Sequence, residues 1–291
     1  MSVRSMMPKP LHGAARSTYR VVGGATSAVR MTPEFIVVGG QRCGTTSLFK
    51  NIAEHPQVLR PGIEKGIDWF TLHYDRDMAW YRGHFPVERI ARLRTAKHGR
   101  PAAFEACTYY MFHPFAMQRL AERLPDVKIV AMLRDPVERA FSAYKHELAR
   151  GFETERDFGS ALALEDARLE GEIEKMAADL TYESYAHRHH AYRRRGEYAE
   201  QLERVFALFL RGQVHVLDSE GYFAEPEREY AELLDFLQLE PYTPAKFDRH
   251  NARPSRPMPG EAKEMLTAHY ASHETRLAGL LGRSPRWATS N

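Results

Sequence analysis

Short runs of apolar and β-branched residues alternate along this chain with longer stretches in which apolar positions recur every three to four residues. Phe35-Ile36-Val37-Val38 has the composition of a buried strand and stops at Gly39-Gly40, and Thr46–Glu54 continues with helical spacing. Ala102–Glu105, Val127–Leu133 and Val214–Leu217 are further strand candidates. Val137, Ala140, Phe141, Tyr144 and Leu148 fall on one helical face, and Pro136 stands at the first helical position, where proline is favoured. Later helices are predicted at Tyr198–Leu210, Glu227–Leu237 and Glu261–Leu281. Strands interleaved with helices predict an α/β fold, a parallel sheet with helices on both faces. Glu153–Asp179, rich in charge and alanine, is expected to be an exposed helix or lid, and the proline-rich Asn251–Gly260 an ordered loop. No internal repeat and no second domain is visible.

Composition changes this picture at one end only. The 291 residues are 43% hydrophobic and 27% charged, ordinary values for a soluble globular enzyme. The net charge of +3 is unevenly placed. Residues 1–30 carry Arg4, Lys9, Arg16, Arg20 and Arg30 and no acid, which leaves 36 basic against 38 acidic residues in the rest. Residues 1–32 are therefore expected to be a basic, flexible arm and 33–291 the folded domain. A slightly acidic body argues against a nucleic-acid partner, which would need a basic folded face. Two cysteines cannot build a disulfide framework, so free thiols in the cytoplasm are expected, with an organellar transit sequence as the alternative for the Arg- and Ser-rich, acid-poor start. No apolar run approaches the roughly 18 residues of a membrane span.

The chemistry concentrates where the first strand turns into its helix. Gly39-Gly40-Gln41-Arg42-Cys43-Gly44-Thr45-Thr46-Ser47 has P-loop spacing, so backbone N–H groups and the helix dipole converge there on an anion. A nucleotide triphosphatase carries lysine where this chain has Thr45, and the loop's cation is instead Arg42. A shorter anion than a magnesium triphosphate suits such a loop. The sheet is thus expected to be a single P-loop-type parallel sheet. A second segment, Leu133-Arg134-Asp135-Pro136-Val137-Glu138-Arg139-Ala140-Phe141-Ser142-Ala143-Tyr144, delivers Arg134 at a strand's carboxyl end and Ser142 two turns along the next helix. Arginine supplies a planar fork for a phosphate and serine a hydroxyl donor.

These two segments together resemble the phosphosulfate loop and the 3′-phosphate motif of sulfotransferases that use 3′-phosphoadenosine-5′-phosphosulfate (PAPS), in particular bacterial members related to the heparan sulfate sulfotransferase domain. Lys65-Gly66-Ile67-Asp68-Trp69-Phe70, Trp80–Pro86, Glu105–Tyr110 and Arg195–Tyr198 support the resemblance. It implies PAPS as donor and 3′-phosphoadenosine-5′-phosphate (PAP) as product, without a metal. Arg42 takes the place of the family's loop lysine. Cys43, Gly44, Thr45, Thr46 and Ser47 belong to the loop that would hold the 5′-phosphosulfate, Arg134 and Ser142 would hold the 3′-phosphate, and Arg253 and Arg256 are candidates to close over the nucleotide.

In-line sulfuryl transfer needs a base for the acceptor and a cation beside the leaving phosphate. Heparan-type relatives place glutamate where this chain has Gly66 and lysine where it has Ala106. If residues 66 and 68 share one face of a strand, Asp68 reaches the same cleft, and it is the first candidate for the base. Glu105 and His113 compete with it. His187-Arg188-His189-His190, without a cysteine or carboxylate at ligand spacing, is expected to be an exposed helix face and not a metal site. The acceptor is expected to be a carbohydrate, a glycolipid or a small natural product bearing a hydroxyl or, as second choice, an amine. A non-catalytic PAP-binding protein is the main alternative and a P-loop kinase a more distant one.

Overall fold

The computed structural model describes residues 21–62, 65–250 and 257–289. All five residues of β1 (Phe35–Gly39) and of β3 (Ala102–Ala106) are buried, as are five of the six of β4 (Lys128–Leu133). Strands buried on both faces need covered neighbours, which is the environment of a parallel sheet. With β2 (Val58–Leu59) and β5 (Val214–Asp218) they form one sheet in the order β2-β3-β1-β4-β5, every pairing parallel. The helices, in chain order, are α1 (Thr45–Glu54), α2 (Trp69–Leu72), α3 (Met78–Arg82), α4 (Glu88–Thr95), α5 (Ala116–Arg123), α6 (Pro136–Arg150), α7 (Phe158–Ala163), α8 (Glu165–Leu169), α9 (Glu172–Ala178), α10 (Tyr185–His189), α11 (Tyr198–Leu208), α12 (Ser219–Ala224), α13 (Pro226–Leu237) and α14 (Gly260–Leu281). None of the helices among the described residues is long and apolar enough to cross a membrane.

Chain direction fixes the site. From β1 the chain moves toward the β3 edge, whereas from β4 it moves toward β5, so the carboxyl ends of β1 and β4 part their connections and leave a cleft. Gly39, the last residue of β1, pairs with Met132 and has φ +121°, and a Cβ there would collide with the Met132 carbonyl. Only glycine lets the loop leave β1 this close to β4.

Three expectations are corrected. The charge-rich stretch after Gly151 is built into the fold, because Phe158 and Leu162 pack with Val137, Phe141, Leu266 and Tyr270 in a second apolar cluster. Its acids are used there. Glu153 is buried against Arg168 (2.8 Å) and Tyr192 (2.9 Å), and Glu165 accepts the backbone N–H groups of Arg193 (2.7 Å) and Arg194 (2.8 Å). The histidines at 187–190 are not an exposed face: His187 is buried, His189 pairs with Glu147 (2.8 Å), and His190 meets the Phe152 carbonyl (2.9 Å). Finally, residues 65–68 form no strand, so the alternation that would turn residues 66 and 68 to one side does not apply.

At the other end of the chain, the basic Arg30 is buried. Its Nη1 donates to the Phe85 carbonyl (2.5 Å), the Met31 N–H donates to the Pro86 carbonyl (3.0 Å), and Arg82 donates to the Arg30 carbonyl (2.6 Å).

Candidate active site

The first turn of a helix leaves backbone N–H groups without intrahelical partners, and α1 begins with Gly44 in a left-handed conformation (φ +89°) just before Thr45. No acid occupies that turn. Thr45 and Thr46 face a cavity of about 550 Å³ together with Gln41, Arg42 and Gly44 of the same loop. Arg42 also has a positive φ, 74°. Its Nε donates to the Ser142 hydroxyl (3.1 Å), and Arg134 Nη1 donates to the Arg42 carbonyl (3.3 Å). The loop cation, the strand-end arginine and the helix serine, 92 and 100 residues distant from Arg42 along the chain, therefore meet in one wall. Arg134 lies 3.9 Å from Glu138, a loose ion pair.

Gln41 fixes the loop from the other side. It donates to Glu147 on α6 (2.6 Å) and accepts from Arg195 (3.0 Å). Arg195 sits between the rings of Tyr109 and Phe112, and burial pulls its guanidinium down to about 10. Cys43 points away from the cavity to the Tyr198 hydroxyl (3.5 Å), with burial pushing its thiol up to about 11, and Ser47 accepts the His250 N–H (2.9 Å). Of the predicted loop ligands, Arg42, Gly44, Thr45 and Thr46 line the cavity, whereas Cys43 and Ser47 do not. Arg134 and Ser142 line it as well. Arg253 and Arg256 lie outside the described residues.

Sequence reasoning passed over Lys65. Its Nζ donates to the Thr45 hydroxyl (3.0 Å) at the mouth of the loop, and burial lowers its ammonium to about 8. The backbone places it there: the Lys65 carbonyl accepts the Ala106 N–H (3.1 Å), tying this irregular segment to the end of β3. Phe223 was also missed. Its ring packs on Gly44, where a Cβ would stand 2.9 Å from it, and Arg249 lies over the ring at 4.6 Å. The signal for Lys65 was its position in a family-like stretch. Nothing in the local pattern marked Phe223.

None of the three candidate bases lines the cavity itself. Asp68, with φ 56°, accepts the Cys107 S–H (2.9 Å) on one carboxylate oxygen and is half-buried. Glu105 is fully buried and uses both oxygens, taking the Ile67 N–H (2.7 Å), the Tyr110 hydroxyl (2.7 Å) and the Tyr81 hydroxyl (2.7 Å), while burial raises its carboxyl to about 7. His113 is buried beside Tyr109 and accepts the Phe115 N–H (3.2 Å), and burial lowers it to about 3. At residue 66 a Cβ would stand 2.8 Å from the Ala106 carbonyl, so the backbone of this segment lies too close to β3 for a side chain there without a shift. The aromatic residues Trp69, Phe70, Tyr109 and Tyr110 are core, not cavity lining.

Comparison with known proteins gives the family. The family model of the sulfotransferase domain matches residues 32–252. A sulfotransferase from Alicyclobacillus acidocaldarius is 30% identical and superimposes with a TM-score of 0.65 over 87% of this chain and 97% of its own. The membrane-associated sulfotransferase kil1 of Dictyostelium discoideum is 25% identical across 88% of this chain, and the human bifunctional heparan sulfate N-deacetylase/N-sulfotransferase 3 is 26% identical across 86%. The chain spans 66% of the length of the first and 30% of the second. A parallel five-stranded sheet, a P-loop with arginine as its cation and a family match over three quarters of its length establish that the chain belongs to the sulfotransferase domain family.

Proposed function

We propose that the chain transfers a sulfuryl group from PAPS to a hydroxyl, or as second choice an amine, of a carbohydrate, glycolipid or small natural product. The observation that carries this reading is the convergence of Arg42, Lys65 and Arg134 on a P-loop whose lysine position is Thr45. Three cations around a helix N-terminus suit an anion with charge at two separated points, as PAP has. Thr45, Thr46 and the first-turn N–H groups would hold the 5′-phosphosulfate, and Arg134 with Ser142 the 3′-phosphate. Phe223 and the Arg249 guanidinium over its ring line the cavity where the adenine would lie. Arg42 and Lys65 flank the position where the bridging oxygen gains charge as its bond to sulfur breaks, which is where fixed cations lower the barrier. The acceptor oxygen forms the new bond to sulfur and gives up its proton.

Asp68, three residues along the chain from the cavity-lining Lys65 and half-buried where Glu105 and His113 are buried, is our choice to take that proton from an acceptor that would extend beyond the cavity to it. Among the described residues its second carboxylate oxygen has no hydrogen-bond partner, whereas Glu105 has committed both of its oxygens and His113 is held too weakly basic to compete. Both cysteines are unpaired, which suits the reducing cytoplasm as location.

Calorimetry with PAP and transfer of labelled sulfate from PAPS to a panel of hydroxyl acceptors test the reading together. PAP binding with transfer is expected. Binding without transfer to any acceptor would favour a non-catalytic nucleotide-binding protein, and Mg-ATP binding without PAP binding would favour a kinase. Asp68→Asn should keep PAP affinity and lower transfer by roughly 10²–10⁴-fold, the range of general base catalysis. An equal loss from Glu105→Gln with Asp68→Asn unaffected would move the base to Glu105.

A further inference from the structure

Away from the cavity, two histidines and a glutamate point at one another across the junction of α14 with the turn that precedes α11. His269 and His273 are one helical turn apart on α14, so their side chains leave the same face. Glu197 caps the approach to α11 from the opposite side. His269 Nε2 lies 2.9 Å from Glu197 Oε1, the two imidazole rings are 5.1 Å apart, and one ligand atom from each of the three residues falls within 4.8 Å of the others. All three are half-buried.

The scaffold that holds them is rigid. Tyr270, between the two histidines, donates its hydroxyl to the Arg193 carbonyl (2.7 Å), and its ring lies so close to Gly196 that a side chain at 196 would collide with it. The ligands therefore belong to two elements locked together by neighbouring contacts, one on each side of the cleft between them. A single ion pair would need one histidine. A second imidazole brought to the same carboxylate adds a second lone pair, which neither a hydrogen bond nor an ion pair requires but a metal does.

We propose that Glu197, His269 and His273 bind a divalent transition metal of the zinc type, with water completing its shell. Two imidazole nitrogens and one carboxylate oxygen form a donor set that suits zinc, cobalt or nickel and is too nitrogen-rich for magnesium or calcium. The site fastens α14 to the start of α11. Tyr198, the first residue of α11, meets Cys43 of the P-loop, so the metal stiffens the support beneath that loop without touching the reaction. The inference is independent of the proposed sulfuryl transfer, because its readouts are metal binding and thermal stability.

The test uses the full chain, without a histidine tag and stripped by chelator, titrated with zinc by calorimetry and with cobalt by absorption spectroscopy. One zinc per chain with micromolar affinity and a cobalt spectrum of low coordination number are expected, together with a zinc-dependent rise in melting temperature. Loss of one ligand should weaken zinc by roughly tenfold or more, in His273→Ala and in Glu197→Gln alike. Magnesium should produce neither signal. Absence of zinc binding by the wild type overturns the proposal, and so does zinc binding that both variants retain at full strength. His273 is half-buried, and the apo melting temperature of His273→Ala separates a lost ligand from a lost fold.

Discussion

Lys65 shows how much one side chain can decide. Burial lowers its ammonium to about 8, so in the absence of an anion it sheds its proton near the upper edge of the physiological range. An unfolded lysine keeps its proton until well above that value. The folded chain therefore binds fewer protons than the unfolded one between about pH 8 and 10.5, and this group makes stability rise with pH across that window. Binding of the proposed donor would reverse the balance, because a phosphosulfate beside Thr45 would favour the charged form. PAP affinity should thus fall as pH increases through 8, with proton uptake on binding measurable by calorimetry in buffers of different ionisation enthalpy. Lys65→Arg, always charged, should flatten the profile. Lys65→Met should cost about 1.5–3 kcal/mol of PAP affinity, the worth of one charge-assisted hydrogen bond. A Met variant that binds PAP as tightly as wild type, with an unchanged pH profile, would remove Lys65 from the site.

At the scale of elements, the end of β3 is a junction. Glu105 reaches from that strand to the Ile67 N–H and to the hydroxyls of Tyr81 and Tyr110, so one carboxylate ties β3 to the Lys65–Asp68 segment and to α3. Its carboxyl is raised from 4.5 to about 7, so the folded chain holds a proton that the unfolded chain has lost, and stability falls as pH climbs through that interval. Glu105→Gln should abolish this slope in melting temperature between pH 5 and 7. Gly39→Ala tests the β1–β4 exit: positive φ and a collision with the Met132 carbonyl should cost about 3 kcal/mol or more, seen as a lower denaturation midpoint or insoluble protein. The strands, the P-loop and α6 were legible because their apolar runs and glycines answer to local rules. The two-residue β2 and the short α4 and α5 were not, since two residues carry no periodicity and α4 exposes Ile90 and Leu93. Among the cavity-lining residues, Arg42 and Thr45 were legible from the P-loop spacing, and Arg134 and Ser142 from their place at a strand end and on the next helix together with the family resemblance. Lys65 and Phe223 were not, because a coil segment and a short helix reach the cavity only through tertiary packing. The strand alternation that argued for Asp68 fails for the same reason: residue 68 adopts a left-handed turn, and its place beside Cys107 is a product of packing, not of pattern.

For the whole molecule the question is where the fold begins and whether its overall charge matters to the site. Residues 1–20 carry four of the basic residues, Arg4, Lys9, Arg16 and Arg20, and their removal would take the net charge from +3 to −1. Arg42, Lys65 and Arg134, three of the cations that face the cavity, are fixed by short contacts to Ser142, Thr45 and the Arg42 carbonyl, and at physiological ionic strength charges more than about 8 Å away are screened. If the nucleotide is held by these local contacts, a chain starting at residue 21 should bind PAP within about twofold of the full chain at that ionic strength, despite its reversed charge. A start at residue 33 should behave differently. It loses the hydrogen bonds of Arg30 to the Phe85 carbonyl, of Met31 to the Pro86 carbonyl and of Arg82 to the Arg30 carbonyl, and uncovers the buried Met31 contact. At about 1 kcal/mol for each bond, together with the apolar burial, the loss should reach about 3 kcal/mol or more in denaturant unfolding. If both truncated chains prove as stable as the full chain, residues 21–32 are dispensable and the domain starts at 33. If the shorter loss of residues 1–20 already weakens PAP binding, the basic residues at the start act on the nucleotide site from outside it. The expected result separates two parts of one basic stretch: Arg30, whose contacts hold it to the fold, and the four cations before residue 21, whose removal leaves PAP binding unchanged.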